Sequence, residues 1–400
     1  MSFPVEARLP ATIERPSLQW LPSLVAALAI ALGTMFVSNA VSGRQALLFL
    51  VGVLAGVVLY HAAFGFTSAW RIFIVDRRGD GVRAQMLMLA LTCLVFFPAL
   101  ASGHLGAQAV RGSVSPLGVG VVIGAFMFGV GMQLGGGCAS GTLYTAGGGN
   151  TRMLVTLLAF VAGSVVGAAH MPWWESLPAA KPFSLVTNFG AVGGLAISLS
   201  LFAAVTAVTV LLERQRHGAL LPSRPSRFAP HAVRGPWPIV AGAVGLAVVN
   251  ILTLAIAGRP WGVTGAFALW GAKLLSAAGV AVESWRYYAP AARRAELHAS
   301  VINDVTSVMD FGIMIGALFA ATLAGRFAPT LRASARSVAA ALVGGLLLGY
   351  GARIAYGCNI GAYFSGIASG SLHGWIWFPA AFAGNVLGTM LRPLFGLSAR

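Results

Sequence analysis

Long apolar runs separated by short polar loops dominate this chain. They fall at about 20–38, 45–63, 84–102, 116–134, 152–171, 187–211, 237–257, 300–325, 336–354 and 373–391. Each is long enough to cross a hydrocarbon layer as a helix. The runs are continuous and lack period-two alternation, which argues against a transmembrane barrel. The pattern therefore predicts an all-α polytopic membrane protein. Four shorter stretches, 64–75, 138–149, 262–280 and 358–370, are interrupted by glycine and are expected to dip into the bilayer without crossing it.

The pattern also repeats. Placing Cys358 on Cys138 aligns 121–142 with 341–362 without a gap, with six identities: Gly124/Gly344, Gly129/Gly349, Gly131/Gly351, Gly137/Gly357, Cys138/Cys358 and Gly141/Gly361. Phe64-Gly65-Phe66-Thr67 follows the second span as Trp261-Gly262-Val263-Thr264 follows the seventh. Each half then reads span, Gly-x-Thr segment, span, span, Gly-Cys segment, span. This divides the chain into a tail and first span (1–44), a first repeat (45–211), a linker (212–236) and a second repeat (237–395).

Composition agrees with a membrane setting: 58% of residues are hydrophobic and 9% charged, against roughly 25% charged in soluble domains. The net charge of +16 lies mostly in short loops between apolar runs, so it reads as a topology signal and not as a nucleic-acid surface. With the N-terminus in the cytoplasm and the four short stretches not crossing, loops 71–83, 212–236 and 326–336 and the C-terminus fall inside, with four, five, three and two basic residues. Arg44, Arg111, Lys181 and Arg259 fall outside. The loop 283–299, with Arg286, Arg293 and Arg294, breaks the rule. This arrangement makes the two halves inverted, with broken helices meeting near the midplane. The N-terminus lacks the cationic start and cleavage site of a secretory signal, so the first span is expected to be retained.

Candidate chemistry centres on the two cysteine motifs. Glycines before Cys138 and Cys358 permit a tight turn. A half-helix starting there points free N–H groups and a positive dipole end inward. That field favours an anion, or a thiolate, at the cysteine. Gly137 and Gly357 supply the turns. Ser140, Asn359, Thr67 and Thr264 are candidate donors. Arg353 occupies the position that Gln133 holds in the first repeat, five before each cysteine; an arginine at that depth is either functional or snorkels. Ser365, Thr142 and Tyr144 are open to either oxyanion contact or satisfaction of broken backbone. Asp304 and Asp310 are the acids deepest in an apolar run; pairing with arginine is expected ahead of proton coupling. Cys93 is expected to be a small buried apolar residue. Nothing calls for a cofactor or metal, and there is no P-loop, so any driving force is external or a gradient.

The stretches GVGMQLGGGCASGTL and GYGARIAYGCNIGAYFSG, each before a span, resemble the doubled glycine-cysteine signature of the YeeE/YedE family of sulfur-compound transporters. RPWGVTG resembles a further segment of that family, and the likeness covers most of 45–395. It implies inner-membrane uptake of thiosulfate or a similar sulfur oxyanion. It also implies an hourglass fold with short helices dipping from both faces, and a relay in which Cys138 and Cys358 hydrogen-bond the passing ion. A cytoplasmic sulfur-accepting protein is the soluble partner it suggests, besides the lipid bilayer. Some members have a further cysteine in the first dipping stretch; here FGFTSAWR has none. Some relatives are tied to selenium, and the sequence does not separate the two.

Three other readings compete: a membrane sulfurtransferase forming a persulfide on Cys138 or Cys358, a channel for a neutral solute, and a scaffold that transports nothing.

Overall fold

The computed structural model describes residues 16–222, 231–329 and 333–399. The polar tail 1–15 and residues 223–230 of the expected linker lie outside these. The first half comprises α1 (Trp20–Ala40), α2 (Gly43–His61), α3 (Phe66–Asp76), α4 (Asp80–Ser102), α5 (Val119–Gly135), α6 (Ala139–Gly147), α7 (Thr151–Glu175) and α8 (Leu185–His217). The second comprises α9 (Ile239–Ala257), α10 (Thr264–Ala277), α11 (Ala291–His298), α12 (Val305–Leu323), α13 (Ala335–Ile354), a π-turn at Asn359–Phe364 leading into α14 (Ser365–Ala368), and α15 (Leu372–Leu391). Every expected span is thus a helix. Among the described residues nine segments are long and apolar enough to cross a membrane. α15 is of similar length, with His373 and Asn385 buried along it.

The four short stretches are short helices whose starts are set by local chemistry. Gly65 precedes α3 in an extended conformation. α5 stops because Gly136 turns left-handed (φ 91°), a conformation open to glycine. Tyr356 (φ 58°) and Gly357 (φ 149°) make the matching turn after α13. α8 runs beyond residue 211 to His217 and bends where Gly190 leaves helical geometry. At its end Glu213 is buried and binds Arg83 at 2.7 Å and the Gly79 amide at 3.0 Å, tying the helix to the start of α4.

Packing in one half recurs in the other. α12 packs on α2 as α4 packs on α9, and α13 on α7 as α5 on α15. α12 also packs on α6 as α4 packs on α14. Two equivalent pairs, α5 with α13 and α2 with α9, run antiparallel. Along α5 and α13, Gly124 meets Gly351 while Gly131 meets Gly344. Along α2 and α9, Val58 meets Gly245 near one end, and Arg44 at the other donates to the Ile256 carbonyl at 2.6 Å. Glycine makes these crossings possible: a Cβ on Gly344 would lie 2.2 Å from the Gly135 nitrogen, and one on Gly129 2.1 Å from the Ala381 carbonyl oxygen. Small residues that let backbones approach are the usual basis of helix association in lipid. Leu24, Leu28, Leu32, Met35 and Phe36 on α1 stay exposed, as a lipid-facing helix requires.

Candidate functional site

Cys138 caps α6. The backbone reaches it through Gly136 and Gly137, and its extended conformation (φ −80°, ψ −170°) aims the sulfur at the first free amides. The Gly141 N–H donates to Sγ at 3.4 Å, and Ser140 Oγ lies 3.5 Å away. Thr142 donates to the Cys138 carbonyl at 2.9 Å, so this hydroxyl satisfies broken backbone. Cys358 has the same conformation (φ −104°, ψ −166°) at the head of the π-turn. Its carbonyl accepts from the Ala362 and Tyr363 amides at 2.8 and 3.3 Å. π-turns of this kind concentrate at functional positions.

Both thiols are buried in one continuous core and neither faces lipid. The segments they cap touch each other. The glycines before the two cysteines sit where a side chain is crowded, Gly357 more severely than Gly137. A Cβ on Gly357 would lie 2.7 Å from the Ala362 amide, and one on Gly137 3.1 Å from the Gly141 carbonyl carbon.

A cavity of about 350 Å³ reaches the turn that carries Cys358. Its wall holds Arg111, Arg259, Arg293 and Arg353, and its floor includes Gly357 and Gly361 on either side of the cysteine. A Cβ placed on Gly361 would meet nothing within 4 Å. Thr264 and Thr306 also line it. Arg353 donates to the Thr264 carbonyl at 3.0 Å and to Tyr287 Oη at 2.7 Å. Arg293 donates to the Tyr287 carbonyl at 3.0 Å and lies 4.1 Å over its ring. Arg259 bonds Thr306 at 3.2 Å and sits 3.7 Å from Asp304. Four guanidinium groups outnumber the acids beside them, Asp304 and Glu296, and leave a concave surface of net positive charge, and such a cleft concentrates anions.

The first half mirrors part of this. Gln133, the register equivalent of Arg353, donates to the Thr67 carbonyl at 3.1 Å. Arg71 reaches Gln133 Oε1 at 3.3 Å, and Arg392 donates to the Gln133 carbonyl at 2.6 Å. Arg152 caps the last carbonyls of α5, on Leu134 at 2.7 Å and Gly135 at 2.9 Å. Thr67 is buried beside this cluster, with no hydrogen-bond partner for its hydroxyl. Cations at a helix C-terminus offset its negative dipole end.

The expected residues divide as follows. Arg353, Thr264 and Gly357 line the cavity, and Asn359 is buried beside Cys358 with both amide atoms unpartnered. Ser140 sits against Cys138, whereas Thr67 is grouped with Gln133 away from the cavity. Ser365 is structural, donating to the Trp261 carbonyl at 2.6 Å. Cys93 is buried, its sulfur 4.0 Å from the Ile367 carbonyl. Asp304 pairs with Arg259 as expected, but Asp310 corrects the expectation. It is wholly buried and neither carboxylate oxygen has a partner. Arg111, Arg293 and Tyr287 were not singled out as site residues. The signal for Arg293 is in the basic loop that breaks the charge rule, and of that loop's arginines it is the one that lines this cavity. Among the described residues no group of three His, Cys, Asp or Glu side chains is placed to hold a metal.

Comparison with known proteins places relatives on this frame. The family model described as "Sulphur transport" matches residues 61–387. Escherichia coli YedE, named a probable transporter, is 31% identical over 166 residues, 41% of this chain. That match spans only 40% of YedE's own length. A thiosulfate transporter, TsuA of Spirochaeta thermophila, is 26% identical over 337 residues, 82% of this chain and 92% of that protein. TsuA of Escherichia coli is 25% identical over 338 residues, 81% of this chain and 88% of that protein.

Proposed function

Because the chain belongs to the Sulphur transport family, we propose that it takes up thiosulfate, or a closely related sulfur oxyanion, along a path lined by Cys358 and Cys138. The chain is a multi-pass membrane transporter and not an enzyme. The observation that carries the finer reading is the cavity of four arginines whose floor flanks Cys358.

Thiosulfate is a dianion whose removal from water is expensive. The arginine wall draws it in and replaces part of its hydration. Arg353 and Arg293, held by Tyr287, present planar donors suited to oxyanions. At the floor, free amides of the π-turn, the unpartnered Asn359 amide and the Cys358 S–H offer successive donors. A thiol is a weak donor, so each contact is brief, and weak successive sites suit permeation. Cys138, next to Ser140 and with α6 amides behind it, takes the ion onward. The antiparallel runs of α2 with α9 and α5 with α13 support inverted halves, with the cavity outward and Arg77, Arg78, Arg83 and Arg214 at the cytoplasmic face of a bacterial inner membrane.

A sulfurtransferase mechanism needs an activated thiolate. Within the described residues neither thiol has a histidine or lysine within hydrogen-bond reach to act as its base. The deciding experiment is growth of a thiosulfate-uptake-deficient bacterium on thiosulfate as sole sulfur source. Growth restored by this chain and strongly slowed by Cys358→Ala is expected. No rescue by a well-expressed, membrane-inserted chain overturns the proposal.

A further inference from the structure

No ATP-binding motif powers this chain, yet a dianion must move into a negatively charged interior. At about 100 mV each negative charge is opposed roughly fiftyfold. A cation moving with the anion offsets that opposition, so the question is where this chain would hold one.

Asp310 answers it by position. It lies within α12, wholly buried, with both oxygens lacking a hydrogen-bond partner. Thr306, one turn earlier on the same helix face, lines the arginine cavity. Asp304, at the head of the same helix, is a second acid and offers it no counter-charge. The elements packed around α12 provide no counter-ion. α1 carries no charged residue. α2 has Arg44 at one end, bound to the Ile256 carbonyl, and Tyr60 and His61 at the other. α6 contributes only Tyr144 and the capping Cys138. On α10, Lys273 is turned away to the Leu297 and Ala299 carbonyls. Arg259 is occupied by Asp304 and Thr306. An ionised carboxylate in such a place is costly, so the protonated acid is the resting form and the ionised form a brief one in the cycle. Ionisable groups inside membrane helices commonly mark ion or proton routes.

We propose that Asp310 is a proton-carrying site beside the anion path, so that each sulfur oxyanion crosses with a proton. The inference rests on the transport reading above. The acid takes a proton from the outward cavity while the dianion's approach stabilises the neutral form. It releases that proton to the inner side once the anion has passed. No bond other than O–H forms or breaks.

The test uses the full chain in proteoliposomes, with radiolabelled thiosulfate outside and a pH-sensitive dye in the lumen. For one proton per anion, an acid-outside gradient of about one pH unit should raise accumulation about tenfold, with lumen acidification that depends on thiosulfate. In Asp310→Asn, which keeps the shape of the neutral acid, the ratio of uptake with and without the gradient should fall to unity and the dye should stay silent. Asp310→Glu should restore both. Infrared difference spectra near neutral pH should show a protonated carboxyl band that Asp310→Asn lacks. Gradient-independent wild-type uptake, a gradient response retained in Asp310→Asn, or absence of the band overturns the coupling. No thiosulfate uptake at all overturns the transport reading and the coupling with it, and is distinct from uptake that ignores the gradient.

Discussion

Arg353 donates to the backbone carbonyl of Thr264 at 3.0 Å, and in the other half Gln133 makes the same bond to Thr67 at 3.1 Å. The two repeats therefore share one hydrogen bond between α13 or α5 and the head of a short helix, made once by a charged group and once by a neutral one. The charged version faces the cavity. The shared bond fixes the short helix, and the charge is what the second half adds.

That separation can be measured. Arg353→Gln should keep the bond to Thr264, as Gln133 shows a glutamine can reach such a carbonyl, while removing the guanidinium. Thiosulfate uptake at low substrate should fall about tenfold or more, the scale of a charge-assisted contact. Thermal stability of the purified protein should stay close to that of the parent. Unchanged uptake would show that the guanidinium serves only as a helix tie.

The two capping thiols should each matter. Cys138→Ala and Cys358→Ala should each lower uptake about tenfold, since one lost donor in the path is worth roughly 1–1.5 kcal/mol, with membrane levels unaltered. Serine at either position should retain part of the rate through its O–H. Cys93→Ala should leave uptake intact, because that sulfur touches the Ile367 carbonyl and not the cavity. Equal rates in all three alanine variants would remove the thiols from the mechanism.

Two glycines separate packing from passage. Gly344→Ala puts a methyl 2.2 Å from the Gly135 nitrogen, where α13 crosses α5. Overpacking of this kind costs about 1–3 kcal/mol, so a lower melting temperature and less folded protein are expected. Gly361→Ala places its methyl in open space at the cavity floor. That variant should fold normally and transport slowly. Size-exclusion profiles and uptake assays on the same preparations distinguish the two outcomes.

Much of this was legible because it is local. Apolar run length located every span, and glycine before cysteine located both capped turns. The fixed offset between repeats aligned Gln133 with Arg353, whose bonds then matched. What the sequence did not reveal depends on distant chain segments meeting. Arg111, Arg259, Arg293 and Arg353 come from four separate stretches and converge only after folding. Tyr287 belongs to the segment between α10 and α12, which has no counterpart between α3 and α4, so the repeat gave no hint of it. Asp310 was expected to find an arginine because a pattern of charges cannot say which cations are already engaged.

Tyr287 gives the last prediction. Its hydroxyl accepts from Arg353 at 2.7 Å, its carbonyl accepts from Arg293 at 3.0 Å, and its ring lies 4.1 Å under the Arg293 guanidinium. Tyr287→Phe removes only the first of these. Arg353 then keeps its bond to Thr264 and its place 5.6 Å from the ring, and regains part of the rotamer freedom that anion binding must remove again, at about 0.5–1.5 kcal/mol for a long side chain. The apparent KM for thiosulfate should rise several-fold with little change in maximal rate. Tyr287→Ala also withdraws the ring from Arg293, so its KM should rise further. Because exposed charges are screened as salt increases, the gap between parent and Tyr287→Ala should narrow at high ionic strength. A fall in maximal rate at constant KM would instead place Tyr287 in a gating step and not in holding the arginines.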